Sequence, residues 1–177
     1  MMRNVSVTFP LRRSWMEWAA TITLVIATVL GISDLPTGSL RWWAALLLFV
    51  ALTLLQRIEF QPVYATSAEN ARLVALSLLW GGIALVGGNP LALIISAFVL
   101  SAHAVFTLPG LSGFAWIGGF SVALVAYLVP IYGDWLPGLF NALGTCAGMF
   151  FVGAAAHAQK RAEEADAESR RLLGELQ

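Results

Sequence analysis

The chain has 177 residues, of which 59% are hydrophobic and only 11% charged, and its formal net charge is zero. Soluble globular domains carry about 25% charged residues, so this composition, with a mean hydropathy of +0.79, indicates a membrane protein. A neutral chain offers no basic surface for nucleic acid. The single Cys146 excludes a disulfide framework and a cysteine metal cluster within these residues.

In chain order, a polar segment with three arginines (residues 1–14) precedes the first apolar stretch. The long stretch 73–133 contains no Asp, Glu, Lys or Arg, and a membrane span needs about 20 residues. Glycine- and proline-containing turns at 87–90 and 108–113 divide that stretch into three spans. Six helices are predicted, over residues 15–32, 40–56, 73–86, 91–108, 114–131 and from 138 onward. Losing or adding one hairpin would make five or seven.

Positive charge predicts the orientation of these spans, because Lys and Arg accumulate in cytoplasmic segments. The basic residues cluster before helix 1, between helices 2 and 3 and after helix 6, whereas the other loops contribute only Arg41. Both termini are therefore expected in the cytoplasm. The predicted fold is an all-α polytopic bundle of six transmembrane helices with a C-terminal cytoplasmic coiled-coil helix.

The last helix is predicted to continue from the membrane into water, since no proline follows Pro137 and no charge occurs from Trp135 to Gln159. A heptad repeat runs through both halves, which is typical of a coiled coil. It includes the spacing Gly144-xxx-Gly148, which lets membrane helices approach closely. An isolated amphipathic helix with a solvated face is the alternative. The uncharged line, here called the seam, comprises Asn141, Gly144, Gly148, Phe151, Ala155, Ala158, Ala162, Ala165, Ser169, Leu172 and Leu176.

Two ionisable residues within predicted spans are candidate polar sites. Glu17 lies near Arg13, so an interfacial ion pair is the alternative to a functional carboxylate. His103, placed mid-helix in helix 4, is interpreted either as a proton sensor or as a neutral histidine bonded to a serine or the backbone. Asn141 is expected either to set helix register through a hydrogen bond or to pack as an ordinary polar residue. His157 is interpreted as an interfacial side chain.

The tail from Gln159 to Gln177, rich in Ala, Glu and Arg, contains the run Leu-Leu-Gly-Glu-Leu at residues 172–176. It resembles the signalling helix that joins membrane sensors to the kinase core in bacterial sensor histidine kinases. The resemblance is to the DesK-like group, which has compact multi-helix sensors. Similar helices also precede diguanylate cyclases. The phosphoacceptor motif and the ATP-binding domain of such kinases have no counterpart in these residues, so the chain is expected to be a fragment.

The resemblance implies three parts: a cytoplasmic segment (1–14), a six-helix sensor domain (15–156) and a signalling helix (157–177) that leads to an output domain. It implies a signal input module in a bacterial cell membrane. No catalytic, metal or cofactor residue is expected in this chain, whereas ATP and magnesium belong to the kinase domain. The expected partners are the lipid bilayer, a second copy of the chain and, through the output domain, a response regulator.

A different class of function stays open on the sequence. A small multi-pass transporter or channel subunit, or a membrane scaffold protein, would also be apolar and helical. Transporters place ionisable groups and interrupted helices near the midplane of the membrane. The uncharged stretch 73–133 offers only His103 and a few hydroxyl groups for that purpose, which favours the receptor.

Overall fold

The computed structural model describes residues 15–56, 65–87, 89–109 and 111–175, and the regular structure in these ranges is entirely helical. The six helices predicted from the sequence are present, which confirms the all-α class. The N-terminal segment 1–14 and most of the polar connection after Gln56 lie outside the described residues. The helices are α1 (Trp15–Ser33), α2 (Leu40–Gln56), α3 (Ala65–Val86), α4 (Pro90–Thr107), α5 (Ser112–Ile131) and α6 (Trp135–Glu175).

Four of the six helices, α3 to α6, are long and apolar enough to cross a membrane. The apolar stretches of the other two are shorter, Trp18–Ser33 in α1 and Leu40–Gln56 in α2. At 1.5 Å per residue α2 is about 26 Å long, against a hydrocarbon core of about 30 Å. Of the six predicted spans, four are thus long and apolar enough to cross a membrane, and these four helices indicate a membrane protein.

Helix α3 begins two turns earlier than predicted, at Ala65 instead of residue 73. The prediction was wrong because the charged residues Glu69 and Arg72 were interpreted as a loop. Neither Gly nor Pro interrupts this segment, so nothing in it breaks a helix. Glu69 and Arg72 are also three residues apart, a spacing that brings opposite charges together on a helix surface. Both side chains therefore belong to the bundle.

The first four helices form a ring, in which each packs on the next and α1 closes the ring against α4. Helices α5 and α6 pack on each other and on α4, so α4 touches four of the other five helices. The buried hydroxyl of Ser96 is satisfied within this helix, because it donates to the Ala92 carbonyl at 2.9 Å. The buried residues of this central helix are Ala92, Leu93, Ser96, Ala97, Val99, Leu100, Ser101, Ala104 and Val105.

Glycine permits the closest contact between α4 and α5. A Cβ atom built on Gly113 would lie 2.5 Å from the Val105 Cα and 2.8 Å from the Ala104 carbonyl oxygen. Both neighbours are backbone atoms, which move only if a whole helix moves. Gly119, on the same helix, has no atom within 4 Å of such a Cβ.

These two glycines give a matched pair of substitutions. We expect Gly113→Ala to lower the free energy of unfolding by about 1–3 kcal/mol, because overpacking forces the α4 and α5 backbones apart. We expect Gly119→Ala to be neutral or stabilising by up to about 1 kcal/mol, since alanine is the better helix former. Unfolding of the purified protein in detergent micelles measures both. Equal effects of the two substitutions would contradict the close packing of α4 on α5.

Candidate functional site

Helix α6 is one continuous helix of 41 residues, about 60 Å long. Its first part packs on α4 and α5, through a buried face formed by Gly138, Ala142, Cys146, Met149, Gly153 and Ala156. From Arg161 to Glu175 every residue is exposed, including Leu173 at 62%. The predicted helix without a break between its apolar and charged halves is therefore present.

The seam lies on the side of α6 away from its own bundle. Within the apolar half, all seam residues are exposed except Gly148, and Phe151 is 75% exposed. A Cβ on Gly144 would meet nothing within 4 Å, whereas one on Gly148 would lie 2.8 Å from the Phe98 ring of α4. Gly144 thus faces outward and Gly148 packs within the chain. In the charged half Ala162, Ala165, Ser169 and Leu172 are exposed, and Leu176 lies outside the described residues.

Asn141, the first seam residue, has a local partner. Its Nδ2 donates a hydrogen bond of 2.6 Å to the hydroxyl oxygen of Tyr132. Tyr132 caps the end of α5, so this bond braces the turn between α5 and α6. The side chain of Asn141 therefore has a hydrogen-bond partner within its own chain, at the end of α5.

Two helices bring a set of ionisable side chains together, here called the polar cluster: Glu69 and Arg72 from α3 and His103 from α4. Arg72 is 5% exposed and pairs with the Glu69 carboxylate at 3.2 Å. Its guanidinium also donates to the carbonyl of Gln56, the last residue of α2, at 3.2 Å. Since α2, α3 and α4 all contribute, the polar cluster joins three of the four helices in the ring.

His103 lies one turn from the end of α4, not at mid-helix, and its Nε2 contacts the Arg72 guanidinium. The expected partner, a serine or a backbone group, is therefore replaced by an arginine 31 positions away in the sequence. Arginine has only donors, so Nε2 must accept the hydrogen bond and the ring is neutral in this arrangement. His103 therefore connects α4 to α3 by accepting a hydrogen bond from Arg72.

Burial makes the polar cluster sensitive to any loss of a partner. The side chains of Arg72 and Glu69 are 3% and 12% exposed, and a buried charge is tolerated only when it is paired. The second carboxylate oxygen of Glu69 has no hydrogen-bond partner within the described residues. The residue after Glu69 on α3 is Asn70, and its Oδ1 accepts a hydrogen bond of 3.2 Å from the indole of Trp116 on α5. This hydrogen bond joins α5 to α3 next to the polar cluster.

Three residues of α6, spaced about one turn apart, contact the α4–α5 hairpin at this end of the bundle. A Cβ on Gly153 would lie 2.3 Å from Ile117 Cδ1 of α5. One turn on, the His157 ring lies edge-on to Phe114, with centroids 6.0 Å apart. The Lys160 ammonium then donates to the carbonyl of Leu108, the residue that caps α4, at 3.2 Å. Beyond Lys160, every residue of α6 as far as Glu175 is exposed.

The other end of the bundle holds smaller polar contacts between turns. Asn89 Nδ2 donates to the Asp34 carboxylate at 2.7 Å, and Asn89 Oδ1 caps the first turn of α4 by accepting from the Leu91 amide at 2.9 Å. This bond ties the α1–α2 turn to the α3–α4 turn. Ionisable residues at this end are exposed, in contrast to the buried polar cluster opposite.

No protein-family model, curated protein or solved structure matches this chain. Function therefore has to be inferred from the chain's own residues. The described residues contain no group of three or more His, Cys, Asp or Glu side chains that could hold a metal ion. What they do contain is a buried ion pair with a histidine, and a long helix anchored next to it.

The sequence predicted His103 as a candidate polar site. It did not predict the polar contacts of Glu69, Arg72 and Lys160. Glu17, the other predicted intramembrane site, lies in α1, with its side chain outside the described residues. A signal for Arg72 was present: Glu69-xx-Arg72 continues without a helix breaker into an apolar run. No comparable signal marks Lys160, because its partner is a backbone carbonyl 52 positions away.

Proposed function

We propose that this chain is the membrane-embedded input module of a two-component sensor histidine kinase. In this function the bundle receives a signal from the bilayer or cell envelope, and α6 transmits it to a cytoplasmic kinase. The observation that carries the proposal is the single uninterrupted α6. One half of α6 packs in an apolar bundle, and in this half the seam faces away from the other helices. The other half is exposed and charged. The output domain, its ATP and magnesium, and a response regulator belong to the same proposal.

The proposed layout has six spans in a bacterial cell membrane, with both termini in the cytoplasm. Supporting it, Arg72 and Lys160 lie at the same end of the bundle, since they contact His103 and the Leu108 carbonyl of α4. Asp34 and Asn89 meet at the other end. Basic residues favour the cytoplasmic side, so α6 leaves the membrane there. The short α1 and α2 complete the layout as spans near the lower length limit.

A second copy of the chain is the proposed partner of the seam. Every residue of the segment 161–175 is exposed, and isolated helices of about 12–15 residues are marginal in water. Pairing through Ala162, Ala165 and Leu172 would bury the apolar positions of this segment while leaving its charges in water. Two copies in one membrane have the same orientation, so the pair would be parallel.

A transporter or channel subunit is the second candidate, and the polar cluster is the observation that favours it. Ionisable groups inside a membrane often mark a substrate or ion pathway. Two features favour the receptor instead. The polar cluster lies in the second turn of α3 and the last turn of α4 rather than at the midplane, and both helices are uninterrupted, unlike the broken helices of transporters.

We expect the signal to depend on bilayer thickness. The described turns at the end that holds Asp34 are short, so they build no pocket for a soluble ligand, and α1 and α2 have the shortest apolar stretches. Mismatch costs a fraction of a kcal/mol per ångström. A few ångström on each helix sum to about 1 kcal/mol, which changes a two-state ratio about fivefold. Output of the full-length protein in lipids of graded chain length should change steadily; a flat response would contradict this stimulus.

One reconstitution experiment distinguishes the receptor hypothesis from the transporter hypothesis. Residues 1–177 are joined in frame to the cytoplasmic core of a histidine kinase, and phosphorylation is measured in liposomes together with solute and ion flux. The receptor predicts phosphorylation that varies with bilayer composition and no flux above that of empty liposomes. Constant phosphorylation with substantial flux would overturn the receptor and support the transporter.

A further inference from the structure

The last turn of α4 is held from two sides by cations of other helices. On one side Arg72 of α3 contacts His103; on the other, Lys160 of α6 donates to the Leu108 carbonyl at 3.2 Å. The two anchored residues are five positions apart in one helical turn and its cap. Any shift of this turn therefore strains at least one of the two contacts.

The contacts of Arg72 with the Gln56 carbonyl and of Lys160 with the Leu108 carbonyl follow from the chemistry of helix ends. The last carbonyls of a helix lack intrahelical partners, and the C-terminus favours positive charge. Arg72 satisfies the carbonyl of Gln56 at the end of α2, and Lys160 satisfies that of Leu108 at the end of α4. Arg72 thus links α3 to α4 and to the end of α2, and Lys160 links α6 to the end of α4.

Lys160, here called the fulcrum, lies where the packed part of α6 ends and the exposed residues 161–175, here called the arm, begin. Gly153, His157 and Lys160 are the contacts of α6 with the α4–α5 hairpin that lie nearest to the arm. The arm from Lys160 to Gly174 is about 21 Å long, and a tilt of about 15° at the fulcrum moves its end by about 5 Å. Small movements of the α4 end are enlarged in this way.

We propose that the last turn of α4, from His103 to Leu108, is a coupling element through which the polar cluster sets the direction of the α6 arm, with Lys160 as the positioning residue. The proposal rests on the proposed function in taking α6 as the output helix. Coupling between sites requires an element with two arrangements. The second arrangement is Lys160 released from Leu108 and paired with Glu164, one turn further along the exposed helix.

The test measures the direction of the arm rather than kinase output. Spin labels are placed on cysteines at the exposed positions Ala115 of α5 and Gly174 of α6, with Cys146 replaced by serine and excess unlabelled protein added. We expect Lys160→Met to shift the mean label distance by about 3–5 Å or to broaden its distribution about twofold, because the arm is released. Lys160→Arg should restore the native distribution. Arg161→Met, which removes the adjacent exposed charge, should leave it unchanged.

A double-mutant cycle tests the coupling itself. His103→Gln removes the ring that faces Arg72 and should also shift the distance, while His103→Gln with Lys160→Met should shift it no further than the larger single effect. Additive shifts would show independent contacts and overturn the proposal. An unchanged distance in Lys160→Met, or an equal shift in Arg161→Met, would overturn it as well. These outcomes do not depend on the identity of the output domain, so they are separable from failure of the receptor function.

Discussion

Insertion of one residue after Ala162 should lock or abolish output when residues 1–177 are joined to the cytoplasmic core of a histidine kinase. One residue rotates everything downstream by about 100°, which moves Ala165 and Leu172 away from the side of the seam. Every residue of the α6 arm is exposed, so packing against the bundle is not expected to absorb the rotation. Phosphorylation or a reporter gene driven by the response regulator measures the effect, and we expect a loss of stimulus dependence of tenfold or more, the ratio that corresponds to about 1.4 kcal/mol.

The matched control is an insertion of seven residues at the same position. A full heptad returns the seam to the same side of a coiled coil, with a rotation of only about 20° in a straight helix. Regulation should therefore be largely retained. If insertions of one and seven residues behave alike, the phase of α6 carries no information and the arm is only a solvated tail.

Replacing Arg72 by methionine should lower the free energy of unfolding by about 3–5 kcal/mol. This substitution keeps an unbranched side chain but leaves the Glu69 carboxylate, 12% exposed, without its cation; breaking a buried ion pair on one side has this magnitude. It also removes the donor to the Gln56 carbonyl and the contact with His103. Denaturation of the purified protein in detergent micelles measures the loss.

Two further variants test whether burial of the ion pair causes this loss of stability. Arg170→Met breaks an ion pair of 2.7 Å with Asp166, but both side chains are mostly exposed, so the cost should be at most about 1 kcal/mol. Combining Arg72→Met with Glu69→Gln should be less harmful than Arg72→Met alone, because no uncompensated charge remains. Equal costs for Arg72→Met and Arg170→Met would mean that the polar cluster is not buried as described.

The helices and their turns followed from local signals in the sequence. A turn was predicted at residues 87–90, and the predicted helices leave connections at 33–39 and 132–137. Gly38, Gly87 and Gly133 in these connections have φ angles of 79°, 86° and 72°. Residues other than glycine rarely adopt such angles, so the glycines in these segments indicate turns. The continuity of α6 followed from the absence of proline after Pro137 in the same way.

The polar cluster could not be predicted because its contacts depend on how helices pack. His103 and Arg72 come from different helices, and Lys160 binds a carbonyl far from it in the chain. A charge next to an apolar run indicates a loop when considered alone, as the misplaced start of α3 shows. Only the ring of α1 to α4 brings Arg72 into the interior, where charge has to be paired.

The most direct measurement for the proposed role of α6 is disulfide crosslinking between two copies of the full-length protein in native membranes. Cysteine replaces either Ala165 on the seam or Ala167 on the opposite side of the same helix, both alanines and both exposed, with Cys146 changed to serine. The receptor with a paired α6 predicts that Ala165→Cys forms a covalent dimer, that its yield changes with bilayer thickness, and that Ala167→Cys does not crosslink. Equal crosslinking at both positions, or none at Ala165→Cys, would contradict it.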